Sequence, residues 1–224
     1  MGRPVGPRER PIIFSGPMVR AIRGGAKTQT RRLVRPQPRI VPADLDRGFT
    51  EGGVYDADFG TGPMEFDALD LPKFRRSPYG ERGDRLWVRE TWRLPVEPDG
   101  TPLTGIEYRA TAPEAAQDFG INWRPSIFMP REASRVTLEV EAVRVERLQE
   151  ISEADAIAEG LREWPIPDPH HARWSAGLDS GPFRDCWEYD PRRAFKIGWD
   201  AINGKRGPWA SNPWVWCLTF RRLP

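Results

Sequence analysis

A strand whose apolar residues fall on both faces cannot lie at a sheet edge or lean against solvent. The run NPWVWCLTFRRL, residues 212–223, is of that kind. It predicts a central strand rather than an edge. A second run, RVTLEVEAVRVERL at 135–148, is the clearest strand in the chain. Val136, Leu138 and Val140 alternate with polar residues, and a phase shift near Ala142-Val143 predicts a bulge or bend. Shorter strands are expected at Pro11–Phe14 and, after the tight turn Gly83-Asp84, at Leu86–Trp92.

Helices are few and short. Ser15 is placed to cap a helix with Pro17 in its first turn, Met18 and Ile22 on one face and Gly24-Gly25 at its end. ISEADAIAEGL (151–161) has a capping-box pattern, with Ser152 as N-cap, Asp155 at N3 and Gly160 as the stop. RRAFKIGWDAIN (192–203) pairs Phe195 with Trp199 at i, i+4. Two stretches, about 36–80 and about 162–195, show no sustained period. Both are expected to be irregular insertions into one domain spanning 1–224. The fold class is therefore α+β, with several strands and a few short flanking helices.

The formal net charge is only +2, but its distribution is uneven. Residues 1–39 hold ten basic side chains against one acid, a net of +9, while residues 40–70 hold eight acids against one arginine, a net of −7. A basic block suits phosphate-rich partners, and the rival explanation is that the two blocks neutralise each other across the surface. No run is long and apolar enough to span a membrane, and the first residues lack the apolar centre of a signal peptide. Cys186 and Cys217 have no metal or redox spacing, which points to free thiols in a cytoplasmic setting. His170-His171 with Asp168 and Asp185 is a poor metal set, because adjacent histidines point apart, so no metal is expected. No phosphate-cradling glycine loop or serine–histidine–aspartate signature is present, and no cofactor is expected.

Four segments, FSGPMVRAIRGGAKTQTRRLV, GDRLWVRETW, ISEADAIAEGL and NPWVWCLTF, together hold 51 of the 224 residues and run from Phe14 to Phe220. In this order they resemble the ASCH domain family, and look most like its longer members encoded by phages and prophages. The resemblance implies a PUA-like small β-barrel. It also implies binding of nucleic acid, RNA ahead of DNA, or of a modified nucleoside in a basic cleft beside the barrel. Some compact members are amidohydrolases that remove the acetyl group from N4-acetylcytidine with a lysine, a threonine three residues later and a glutamate in a later short helix. By motif these fall on Lys27, Thr30 and Glu159.

Amide cleavage needs a nucleophile, a proton acceptor and a donor to the leaving nitrogen. Thr30 offers the hydroxyl. For Lys27 to act as base, its pKa must fall from about 10.4 to about 7.5, or roughly 4 kcal/mol. Arg31, Arg32 and burial push that way, whereas a neighbouring Glu159 pushes back. In a regular strand, residues three apart point to opposite faces, so Lys27 and Thr30 converge only if the chain turns between them. Arg31 and Arg32 are candidate phosphate contacts. Glu90 is a rival carboxylate, and Trp87 and Trp92 are candidate base-stacking residues as well as candidate core. Two other readings stay open: a binding module without catalysis, and a ribonuclease, for which no general-acid histidine pair is evident.

Overall fold

In the computed structural model the described residues are 6–37, 39–41, 53–55, 77–97, 101, 104–112, 122–164, 172–177 and 186–224. Five strands form one sheet: β1 (Glu9–Ile13), β2 (Gln29–Leu33), β3 (Arg85–Arg89), β4 (Thr137–Arg147) and β5 (Trp214–Arg222). Their order is β1-β3-β4-β5-β2. β1 runs parallel to β3, and every other neighbouring pair is antiparallel. Among the described residues three helices complete the frame: α1 (Gly16–Arg23), α2 (Glu153–Ala158) and α3 (Pro191–Asn203). The protein is thus α+β. Among the described residues β1 and β2 are sheet edges that do not pair with each other, so hydrogen bonding does not close a barrel.

β5 lies inside the sheet, as its two-faced apolar pattern requires. Leu218 and Phe220 enter one core with Ile12, Val19, Ile22, Leu86 and Val140. Val215 and Cys217 enter a second core with Leu148, Ala156, Phe195 and Trp199. The first core is roofed by α1 and the second by α2 and α3, so two layers sandwich the sheet. The pairing of β5 with β4 shifts between Thr219 and Phe220, whose partners are Ala142 and Val140. Glu141 is the extra residue, at the edge of the expected phase shift.

The helix ends follow the local chemistry in part. Ser15 occupies the N-cap of α1 without a side-chain cap bond, and Pro17 lies in its first turn. Ser152 caps α2 by accepting the Asp155 N–H at 3.1 Å, but the reciprocal half of a capping box is absent because the Asp155 carboxylate is engaged elsewhere. α3 begins at Pro191, capped by Asp190, so the second irregular stretch stops several residues before its expected end at 195. Within that stretch Arg162–Glu163 and Trp174–Ser175 form a two-stranded ribbon. Within the first, Arg39–Val41 pairs with Gly53–Tyr55. Most of the rest of both stretches, including Asp168, His170, His171 and Asp185, lies outside the described residues.

Candidate functional site

The corner between α1 and β2 is fixed from three directions. Gly25 has φ +79°, which turns the chain sharply after the helix. The Ala26 and Lys27 N–H groups both donate to the Ala21 carbonyl, and the Thr28 N–H donates to the Ala158 carbonyl at the end of α2. The Thr28 carbonyl in turn accepts from the Phe220 N–H of β5. Lys27 therefore stands two residues ahead of β2, in a turn and not in a regular strand.

Its side chain has no exposed area. The Nζ donates to Glu159 Oε2 at 2.7 Å and to the Glu159 carbonyl at 2.7 Å. Burial pushes the Lys27 pKa below its ordinary value, with Arg32 and Arg31 adding to that effect, while the Glu159 carboxylate opposes it. The Phe14 ring lies 5.8 Å from Lys27 Nζ and 4.9 Å from the Arg32 guanidinium.

Behind Glu159 is a network built on Arg31, whose side chain is also fully enclosed. Arg31 donates to Glu146 Oε1 at 2.6 and 3.0 Å, to Asp155 Oδ2 at 2.8 Å and to Glu159 Oε1 at 3.4 Å. Gln29 donates to Asp155 at 2.9 Å, and Arg144 bonds both Glu146 and Asp155. Cys217 pairs across the sheet with Arg31 on one side and Arg144 on the other. Lys27, Arg31 and Arg144 thus face Glu146, Asp155 and Glu159, three cations against three anions. Burial alone would raise the Glu146 and Asp155 carboxyls, but hydrogen bonds and nearby charge reverse this. Cys217, Arg31 and Arg144 act on Glu146; Gln29, Arg31 and Arg144 act on Asp155. Burial pushes the Cys217 thiol up.

A cavity of about 670 Å³ opens beside this network, within the size range of small-molecule sites. Thr30, Arg31, Arg32 and Glu159 line one wall. Trp174, Phe195 and Trp199 line an apolar wall contributed by the ribbon and α3. Thr30 is 2% exposed, and among the described residues its hydroxyl has no side-chain partner. Lys27 is not part of the lining; Glu159 stands between it and the cavity.

The expected site residues therefore separate into two groups. Lys27, Thr30, Glu159, Arg31 and Arg32 come together. Glu90, Trp87 and Trp92 do not line the cavity. Glu90 is buried in a two-pronged ion pair with Arg135 at 2.8 and 2.9 Å. Trp92 packs with Met129 and Ala133 in a small third core, and Trp87 is buried beneath Arg89. The cavity's aromatic residues are instead Trp174, Phe195 and Trp199. Arg31 is tied internally to carboxylates, and Arg32 Nη2 donates to the Ile13 carbonyl at 2.6 Å while its plane covers Phe14. Glu146, Arg144 and Asp155 were not anticipated in the site. Their signal was two charged residues, Arg144 and Glu146, two apart on one face of β4 beside a buried strand.

Among the described residues no group of three or more histidine, cysteine or acidic side chains is arranged to hold a metal. No helix among them is long and apolar enough to cross a membrane, and Cys186 and Cys217 are free. Comparison of the chain with protein-family models, with curated proteins and with solved structures returns no match.

Proposed function

We propose that the chain is an ASCH-type protein of the PUA-like class that takes a modified nucleoside, free or within RNA, into the 670 Å³ cavity and hydrolyses an acyl group from its exocyclic amine. The observation carrying this reading is the 2.7 Å contact of Lys27 Nζ with Glu159 Oε2, residues 132 apart in sequence, Glu159 being on the cavity wall that also holds Thr30. That contact joins the two short motifs that the resemblance assigns to one site. In this reading the five-stranded sheet would supply the strands of such a barrel, and a reducing cytoplasm suits the two free thiols.

In this reading the Thr30 hydroxyl attacks the amide carbonyl and passes its proton to Glu159. The carbon–nitrogen bond breaks, and the amine leaves with that proton. Water then cleaves the acyl ester, with Glu159 again accepting the proton, and Thr30 is restored. Lys27, taken in its charged form beside Glu159, supplies positive field to the developing oxyanion and keeps the carboxylate oriented. The half-buried Trp174 is the candidate stacking surface for the base.

A second reading is favoured by one observation: Lys27 is sealed behind Glu159 and Thr30 is 2% exposed, which suits a pocket that binds without cleaving. Mass-spectrometric assay of N4-acetylcytidine and longer N4-acylcytidines separates the two. Turnover by the wild type that drops about 100-fold or more in Thr30→Val and Glu159→Gln supports hydrolysis. Saturable binding without turnover establishes the second reading and removes the first.

A further inference from the structure

Away from the main cavity, a second concavity of about 480 Å³ opens between the segment leading into β1 and the turn leading into β3. Arg8, Arg10, Arg82, Ser77, Glu81 and Asp84 are among its lining residues. We propose that it is a phosphate-binding site, in which the three arginines hold the oxyanion and the Ser77 hydroxyl donates to it.

Several arginines elsewhere hold carboxylates, as Arg131 does Glu9, Arg135 Glu90, Arg93 Glu107 and Arg221 Glu139, and others, such as Arg32 and Arg147, donate to backbone carbonyls. Among the described residues, Arg8, Arg10 and Arg82 have no carboxylate partner. What sets Arg10 apart is that its Nε is enclosed and lacks a hydrogen bond. Arg32 and Arg89 also leave Nε unpartnered, but each lies over a ring, Phe14 and Trp87 respectively. Among the described residues Arg10 has no such ring. A buried donor left unmade costs free energy that a ligand oxygen would recover. A guanidinium meets two oxygens of one phosphate at once, so the missing partner has a defined chemistry.

The remaining groups fit that chemistry. Ser77 is 9% exposed and its Oγ accepts the Tyr79 N–H at 3.1 Å, which leaves its own proton to donate. The Asp84 carboxylate is held by the Arg8 N–H at 3.0 Å and the Glu81 N–H at 3.1 Å, with no ion pair to the three arginines among the described residues. Gly80 makes room for that carboxylate, since a Cβ there would stand 2.5 Å from Asp84 Oδ2. Glu81 is the lining acid without a side-chain partner among the described residues. It opposes an anion and sets a ceiling on affinity. The site takes either a free phosphate or the phosphodiester of a nucleic acid, and it does not depend on any reaction in the main cavity.

The test is calorimetric titration of the full chain at low salt with two probes: inorganic phosphate, and a short oligouridylate lacking terminal phosphates. Arg10→Gln is expected to weaken binding about tenfold or more, and the Arg8→Gln/Arg82→Gln pair by a similar factor. Glu81→Gln is expected to tighten it. The double variant lies at exposed positions, so it keeps the test sound even if Arg10→Gln melts early. Phosphate bound without the oligonucleotide identifies a free phosphate ligand; oligonucleotide displaced by phosphate identifies a diester. Absence of saturable binding of both probes up to about 10 mM, or binding indifferent to the arginine changes, overturns the proposal.

Discussion

Gly160 lies so close to Lys27 that a Cβ on the glycine would stand 2.8 Å from the lysine's own Cβ. With φ +91° at Gly160, the stop of α2 is also a clamp on the candidate site.

Gly160→Ala is therefore expected to destabilise the protein by about 1–3 kcal/mol, through the left-handed backbone and through displacement of Lys27. Denaturant melts read the stability. An unchanged midpoint would show that the turn relaxes freely and holds nothing in place.

Arg31 carries the largest structural consequence. Arg31→Met leaves Arg144 as the one cation on Glu146 and Asp155 and weakens the hold on Glu159, and breaking a buried pair in this way costs about 3–5 kcal/mol. If it acted as a surface phosphate contact, stability would be unchanged and salt-dependent binding would fall instead. Equilibrium unfolding and a salt titration, run together, decide between these.

Acid should loosen the same network. Glu146 and Asp155 sit below their ordinary 4.5 and 3.8, so the folded state binds their protons less tightly than the unfolded state does. Their contribution is fully present above pH 4.5 and is lost as pH falls through the lower folded values. Stability measured from pH 6 down to about 2 should fall steeply at the acid end, and less steeply in Arg31→Met. Equal slopes in the two proteins would sink this assignment.

The two thiols should differ in reactivity. Cys217 is 1% exposed and burial raises its pKa, so it offers almost no thiolate at neutral pH. Cys186 is half-buried. A thiol reagent should label one cysteine in the native protein and both in denaturant, and rapid native labelling of Cys217 would contradict the packing described.

Glu90 and Glu159 are separable by kinetics. Glu90→Gln weakens the pair with Arg135 and should lower stability, yet leave turnover of an active substrate within about twofold, since Glu90 does not line the cavity. A collapse of turnover with retained stability would return Glu90 to the site.

What could be read from sequence was whatever local chemistry decides. The two-faced apolar pattern around Val215–Phe220 made β5 central, and Ser152 and Gly160 bounded α2. The fate of Arg31 could not be read in this way, because its carboxylates arrive from positions 115 and 124 residues away. A guanidinium looks the same in sequence whether water or Glu146 will receive it. The tryptophans failed for a related reason. Trp87 and Trp92 sit on or beside a strand that suggested the cleft, but the ribbon carrying Trp174 lies in a segment without periodicity. The closed barrel depended on pairing between β1 and β2, and no residue of either strand specifies that partner.

The strand that joins the two halves of the sheet is the last of the five to be translated. Until β5 leaves the ribosome, β2 has no hydrogen-bonded neighbour, and β4 lacks one of its two. At about 5–20 residues per second, the nascent chain spends roughly ten seconds or more after β2 is made with that edge and its buried-to-be arginines in water. The dense charge on β2 keeps that edge soluble through the wait, and the carboxylates that later enclose Arg31 are already waiting on β4 and α2 when β5 arrives to draw them together.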